Sequence, residues 1–110
     1  MDQDERVRRI GLNEAVFREV NERIEDLADT FGLDQGLELI CECGDAGCTS
    51  RIEMGRERYE ELRSDSTTFA LVRGHEISEV EEIIASDDSY YVVRKVAGDA
   101  REVAEQTDRR

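Results

Sequence analysis

The chain has 110 residues, a formal net charge of −13 at pH 7, three cysteines, one histidine and no proline or tryptophan. This length suits one domain with a modest hydrophobic core, to which a bound metal would add stability. The negative charge argues against direct binding to DNA or RNA, whose phosphates require clustered cations, and no apolar run is long enough to span a membrane.

The N-terminal third is predicted to form one long helix. Residues 1–8 are highly charged and are expected to be loosely ordered, Asn13 can cap the helix, and Gly32 can end it. Apolar residues recur at alternating spacings of three and four, at Phe17, Val20, Ile24, Leu27 and Phe31. This stripe is too short to establish a coiled coil. We expect it to pack within the chain against a sheet, and a helix-mediated homodimer is the alternative to a monomer.

The remaining two thirds predict short elements of both kinds. In chain order these are strands over 37–41 and 51–54, a helix over 55–64, a strand over 67–72, a helix over 78–85, a strand over 90–96 and a helix over 100–106. In the first of these helices Tyr59 and Leu62 should face inward and Arg63 outward, and Ser78 with Glu81 forms a capping box for the second.

The order of these elements predicts an α+β fold, in which the long N-terminal helix packs on a small mixed sheet beside a zinc-knuckle-like metal site. Residues 9–98 are predicted to form the single domain that carries this site. Residues 99–110 are expected to form a C-terminal helix or a frayed tail, with Asp99 as the cap.

All three cysteines lie within eight residues, at Cys41, Cys43 and Cys48. Side chains two positions apart on a strand point to the same face, so Cys41 and Cys43 should project side by side. Gly44 and Gly47 tolerate positive φ, which would let the chain double back and bring Cys48 to the same point. The spacing therefore predicts three converging thiolate ligands.

Other interpretations of the cysteines remain open. A disulfide framework would leave one cysteine unpaired, and residues 1–8 lack the apolar segment of an export signal. A cytoplasmic setting keeps thiols reduced and favours metal binding over bridging. A redox-active thiol and three inert buried cysteines are the alternatives, although Glu42, Gly44 and Asp45 are typical of a polar turn.

His75 is the candidate for a fourth ligand. It lies in the polar turn Arg73-Gly74-His75-Glu76, which follows an apolar run. Three cysteines and one histidine form a complete tetrahedral ligand set for Zn²⁺. If His75 does not bind, then water, Glu42, Asp45 or Glu76 would fill the fourth position. A closed Cys3His site is structural, whereas an open position keeps a water that zinc can activate.

Several of these motifs resemble a group of small uncharacterised bacterial proteins. The resemblance runs from about Asn13 to Lys95 and rests on the following segments: 13–14, 17–23, 41–44 with Cys48, 51–53, 59–60, Arg63, Phe69, 74–76, 91–93 and Lys95. In that group a proline tends to precede the Gly-His-Glu turn, where this chain has Arg73. The resemblance implies that the cysteine and histidine pattern recurs as a metal site, and it implies no activity.

The sequence contains no Gly-rich phosphate loop, no G-x-S-x-G elbow and no dinucleotide fingerprint. Glu76, beside His75, is the carboxylate best placed to assist chemistry. The preferred interpretation is a small zinc-stabilised interaction or regulatory protein that binds another protein, and its acidic surface suits a partner with a basic surface. A redox or metal sensor and a metal-dependent enzyme are the alternatives.

Overall fold

The computed structural model of the chain describes residues 3–32, 36–96 and 98–108. Its elements are α1 (Gln3–Thr30), β1 (Leu37–Ile40), β2 (Arg51–Met54), α2 (Arg56–Arg63), β3 (Thr68–Val72), β4 (Glu81–Ser86), β5 (Tyr90–Lys95) and α3 (Gly98–Gln106). The predicted α+β class is confirmed. No helix within the described ranges combines the length and the apolar character needed to cross a membrane.

The strands form two small sheets rather than one mixed sheet. β1 and β2 pair as an antiparallel hairpin, and the second sheet has the strand order β3-β5-β4 with both pairings antiparallel. The prediction of a mixed sheet is therefore wrong. For β1–β2 and β4–β5 the physical reason lies in the connections, residues 41–50 and 87–89, which are shorter than the crossover of about a dozen residues that a parallel pair needs.

α1 is longer than the sequence predicts. Residues 3–8 belong to the helix instead of being loosely ordered, and Asn13 lies inside it instead of capping it. The predicted end is confirmed, since Gly32 follows the helix with a φ of 70°. At the other end of the chain α3 begins at Gly98 and packs on α1 through buried Ala100 and Val103, so residues 98–106 are part of the packed domain.

The face that α1 turns inward is rotated away from the predicted one, although Phe17 and Ile24 remain partly buried. Five large apolar side chains on the outer face, 40% to 72% exposed, are called the α1 stripe below: Leu12, Val16, Val20, Leu27 and Phe31. The buried face carries three apolar side chains, Val7, Ile10 and Ala28, together with five charged or polar ones: Glu14, Arg18, Asn21, Glu22 and Glu25. Intrachain packing of the predicted stripe is therefore confirmed for Ile24, which packs against the core, and wrong for Val20, Leu27 and Phe31, because periodicity defines a face and does not say what covers it.

The buried polar face of α1 is matched by partners from the rest of the chain. Arg18 donates to the carbonyl oxygens of Ser66 (2.6 Å) and Ala104 (2.8 Å). Arg63, predicted to face outward, is buried and pairs with Glu22 of α1 and with Asp108. These pairs satisfy charges that would otherwise be costly to bury, and they fix α1 to α2 and to the C-terminal segment.

A second buried ion cluster joins α1 to the second sheet. Lys95 at the end of β5 pairs with Glu14 of α1 and with Glu81 at the start of β4. The predicted helix over 78–85 is wrong, because residues 81–86 form β4 and pair with β5. Strand pairing overrides the local capping box here, and it leaves Ile83 and Ile84 exposed while Val80 is fully buried.

Candidate metal centre

The first two candidate ligands lie where β1 leaves its hairpin. The Cys41 N–H donates to the Ser50 carbonyl oxygen at 3.0 Å, so hydrogen bonding continues one residue beyond the strand. Cys41 and Cys43 are both buried on one side of this extended segment. Glu42, between them, is also buried, and its carboxylate makes its hydrogen bonds to α1, α2 and β3. The alternation predicted from the sequence is therefore confirmed for the two cysteines.

The turn that returns Cys48 to the cluster does not use positive φ. Asp45 organises it, since its carboxylate accepts from the Gly47 N–H at 2.9 Å and its carbonyl accepts from the Cys48 N–H at 3.0 Å. Gly44 serves another purpose: a Cβ there would lie 2.6 Å from Cγ2 of Ile10. The absence of a side chain thus lets α1 approach, and Asn13 donates to the Gly44 carbonyl at 2.8 Å.

His75 lies in the turn that follows β3 of the second sheet. β3 ends at Val72, Gly74 turns the chain with a φ of 94°, and the His75 N–H donates back to the Val72 carbonyl at 3.0 Å. A positive φ of this kind is readily adopted only by glycine. The Val72 N–H in turn donates to Sγ of Cys41 at 3.1 Å, so this strand end both delivers the histidine and supports a thiolate.

The structure brings all four predicted ligands together. Sγ of Cys41, Cys43 and Cys48 and a ring nitrogen of His75 all lie within 4.8 Å of one another. Nδ1 of His75 is 3.5 Å from Sγ of Cys41 and 3.6 Å from Sγ of Cys48. A tetrahedral ion with bonds of about 2.3 Å to sulfur and about 2.0 Å to nitrogen holds such atoms about 3.6 Å apart. The donor set and spacing therefore suit one metal ion bound by Nδ1.

A hydrogen bond between two of the thiols shifts their pKa values in opposite directions. A hydrogen bond from Cys41 lowers the pKa of Cys43 to about 5, helped by the Asp45 backbone N–H and by His75. The same hydrogen bond and burial raise the pKa of Cys41. Concentrated thiolate character, with cysteine and histidine as the only donors, favours a soft or borderline cation over Mg²⁺ or Ca²⁺.

The carboxylates weighed as replacements for His75 are all engaged elsewhere. Glu42 makes its hydrogen bonds inside the core, Asp45 accepts from the Gly47 N–H, and Glu76 accepts from the Gly74 N–H at 2.9 Å. Among the residues that the structure describes, the metal-competent group contains only the three cysteines and His75. The four candidate ligands would form a closed set, the arrangement typical of structural sites.

Sequence reasoning missed the role of Glu42. Its carboxylate accepts from Asn21 Nδ2 (2.8 Å), the Tyr59 hydroxyl (2.9 Å) and the Ala70 N–H (2.9 Å), and its own N–H donates to the Ala70 carbonyl at 2.8 Å. Burial raises the pKa of this carboxyl group, against the effect of these donors. One signal could have identified it: a residue between two ligands on an extended segment must face the other side.

Glu42 also connects the cluster to the rest of the fold. Asn21 belongs to α1, Tyr59 to α2 and Ala70 to β3. One residue between two candidate metal ligands is thus bonded to α1, to α2 and to the second sheet. The geometry of Cys41 and Cys43 therefore depends on contacts well beyond the metal turn.

Comparison with protein-family models, with curated protein sequences and with solved structures found no match for this chain. The resemblance proposed from the sequence stays a prediction. Functional inference therefore rests on the geometry of the cluster and on the surfaces of the fold.

Proposed function

We propose that this is a small zinc-stabilised protein that acts by binding another protein through α1. The observation that carries the proposal is the exposure of the α1 stripe, whose five large apolar side chains are 40% to 72% exposed while five charged or polar side chains of the same helix are buried. An exposed and contiguous apolar surface costs solubility, and in small domains it marks an interaction site more often than an accident of packing.

Zinc is the metal that best suits the ligand set. Cysteine and histidine ligands in tetrahedral spacing are typical of structural zinc sites. Cys41 follows a strand of the first sheet and His75 follows a strand of the second, so one ion would join the two sheets. The closed set leaves no position for an activated water, which supports a structural role over a hydrolytic one.

The metal part of the proposal is tested by composition and by one variant. Protein purified under reducing conditions should carry about one zinc per chain. His75→Ala should lower zinc affinity and thermal stability together, because the free energy of binding structural zinc is also free energy of folding. Arg73→Ala is the matched control, since Arg73 is exposed in the same turn. Zinc affinity equal in the two variants, or no stoichiometric metal, would refute this part.

The binding part is tested by photo-crosslinking in cells. A photo-reactive amino acid at Val16, which is 61% exposed in the α1 stripe, should give discrete cross-linked products. The same amino acid at Glu102, an exposed position on α3, is the control. Products from Val16 that Glu102 does not give would support binding through α1. Identical patterns from both positions would contradict it.

A redox or metal sensor is a second candidate, favoured by one observation. Cys43 and His75 line a hollow of about 270 Å³ that also reaches Asp45 and Ile77, and His75 is only half-buried. Oxidants and chelators could reach the cluster through this hollow. Zinc released at mild peroxide concentrations, with disulfide formation and loss of helicity, would support the sensor; zinc retained until the chain unfolds would exclude it.

A further inference from the structure

The buried cluster between α1 and the second sheet contains one more acidic group than basic groups. Lys95 of β5 is in ion-pair contact with both Glu14 of α1 and Glu81 of β4. The side chains of Glu14 and Lys95 are fully buried, and that of Glu81 is 1% exposed. With all three groups ionised, two carboxylates against one ammonium group leave one unbalanced negative charge out of contact with water, which is costly.

Hydrogen bonds from the surrounding chain do little to stabilise that charge. The Ile77 N–H donates to Oε2 of Glu81 at 3.2 Å. Apart from the ion pair with Lys95, neither oxygen of Glu14 accepts a hydrogen bond from any group in the part of the chain that the structure describes. The neighbour of the ammonium group on β3 is the apolar Phe69 ring, whose centre lies 5.5 Å from Nζ of Lys95. Glu14 is therefore the least satisfied member of the cluster.

Arg18 is the next cation along the buried face of α1, and its hydrogen bonds are directed elsewhere. Its guanidinium lies 4.6 Å from the centre of the Phe69 ring and donates to two backbone carbonyls and one hydroxyl group of other segments. Among the described residues, the charged groups that act most strongly on the Glu14 carboxyl are Lys95 and Glu81. Arg18 thus does not take the place of a second cation in the cluster.

The Glu14 and Glu81 carboxyl groups lie within hydrogen-bonding reach of each other. Two ionised carboxylates at such a separation repel, whereas one proton between them forms a hydrogen bond and removes the unbalanced charge. We propose that Glu14 and Glu81 share one proton in the folded protein at neutral pH, so that the docking of α1 on the second sheet takes up a proton from solution.

This proton makes the docking of α1 sensitive to pH. In the unfolded chain Glu14 ionises near its usual pKa of 4.5, whereas burial raises its pKa in the folded state. Between these two pKa values folding takes up one proton, so the folding constant should fall about tenfold for each pH unit. Above the folded-state pKa the cluster holds its negative charge and the dependence ends. Acid therefore favours the docked helix, and alkali loosens it.

Infrared spectroscopy of the purified chain tests for the proton directly. At pH about 7, where exposed carboxyl groups are ionised, the spectrum should contain the carbonyl stretch of a protonated carboxylic acid. Glu14→Gln and Glu81→Gln should each abolish this band, because either change leaves one carboxylate beside Lys95 and no unbalanced charge. Glu19→Gln is the matched control and should keep the band, since the Glu19 side chain lies on the same helix and is 43% exposed.

A second buried carboxyl group has to be distinguished from the cluster. Burial also raises the pKa of Glu42, which lies apart from Lys95 in a network of three donors. Glu42→Gln identifies any band that belongs to that residue. The band assigned to the cluster must survive Glu42→Gln and disappear in both Glu14→Gln and Glu81→Gln.

Urea unfolding from pH about 5 to about 8 measures the proton uptake. Relative to Glu14→Gln, the wild-type folding constant should fall about tenfold per pH unit until the folded state loses the proton. Glu19→Gln, which removes the same charge from the surface, should follow the wild type.

Three results would overturn the inference. One is a wild-type spectrum at pH about 7 in which no protonated carboxyl band remains after the band of Glu42 is subtracted. Another is a band that Glu14→Gln removes and Glu81→Gln retains, because the proton would then belong to Glu14 alone. The third is parallel pH dependence of the wild type and Glu14→Gln. If either variant fails to fold, the wild-type band decides, since it must weaken over the pH range in which the dependence of folding on pH ends.

Discussion

Removing the Glu42 carboxylate tests whether the metal turn and the core form one unit. Glu42→Ala takes the acceptor away from three buried donors, on Asn21, Tyr59 and Ala70. Asn21 Nδ2 keeps a second acceptor, the Ile40 carbonyl at 2.9 Å, so two donors lose their partner outright. At about 1–3 kcal/mol for each unsatisfied donor the cost is about 2–6 kcal/mol.

Relief from burying the carboxylate itself offsets part of that cost. We therefore expect Glu42→Ala to lower the free energy of unfolding by about 2–4 kcal/mol, a large share of the 5–15 kcal/mol typical of small domains. Glu42→Gln should cost less, because its amide oxygen can still accept one hydrogen bond. Since Cys41 and Cys43 flank this residue, zinc affinity should also fall, by about 10- to 100-fold.

The assay is urea denaturation followed by circular dichroism, at saturating zinc and again with a chelator. Glu38→Ala is the control: Glu38 lies on β1, and its ion pair with Arg51 spans 3.7 Å between exposed side chains. That variant should change stability by under about 0.5 kcal/mol. Equal effects of Glu42→Ala and Glu38→Ala would refute the role of the Glu42 network. A loss confined to the zinc-loaded protein would show that Glu42 supports the metal alone.

Two further predictions concern the packing of α1. Burial raises the pKa of Glu14 above its usual 4.5 despite its pairing with Lys95, so the folded state holds the carboxyl proton more tightly than the unfolded chain does. The difference in free energy of unfolding between the wild type and Glu14→Gln should therefore favour the wild type most below pH about 4.5. This difference should fall as the pH rises through the folded-state pKa. Urea titrations at several pH values check this, and a difference that grows with pH would contradict it. Gly44→Ala should cost about 1–3 kcal/mol, because its Cβ would lie 2.6 Å from Cγ2 of Ile10. Gly55→Ala, with open space around it, is the matched control, and equal thermal shifts would refute the close-approach argument.

The ligand set could be predicted from the sequence because it depends on short-range geometry. The spacing of Cys41, Cys43 and Cys48 constrains their side chains through strand alternation and one turn, and His75 is the single histidine of the chain. Local pattern likewise predicted α2, β3 and β5 within one or two residues. In each case neighbouring residues carry most of the information, so little tertiary context is required.

The tertiary structure decided which face of α1 is buried. The helix has two faces of comparable size, and periodicity favours the apolar one as the core. Here Arg18 and Glu22 find partners on α2, on the C-terminal segment and on loop carbonyls, so the polar face is the one inside. Those partners come from more than 40 residues along the chain, and only the folded arrangement brings them together.

Tertiary contacts also determined the secondary structure of residues 81–86 and the burial of Glu42. A capping box favours a helix at Ser78, but residues 81–86 pair with the edge of β5 instead. The hydrogen bonds of this strand pair outweigh the local preference for a helix. Glu42 looks polar and exposed in a sequence of many carboxylates, yet three donors converge on it from α1, α2 and β3. Local spacing therefore determined that the three cysteines could bind one metal, whereas long-range contacts brought His75 to them and determined which surfaces of this protein are left to bind anything else.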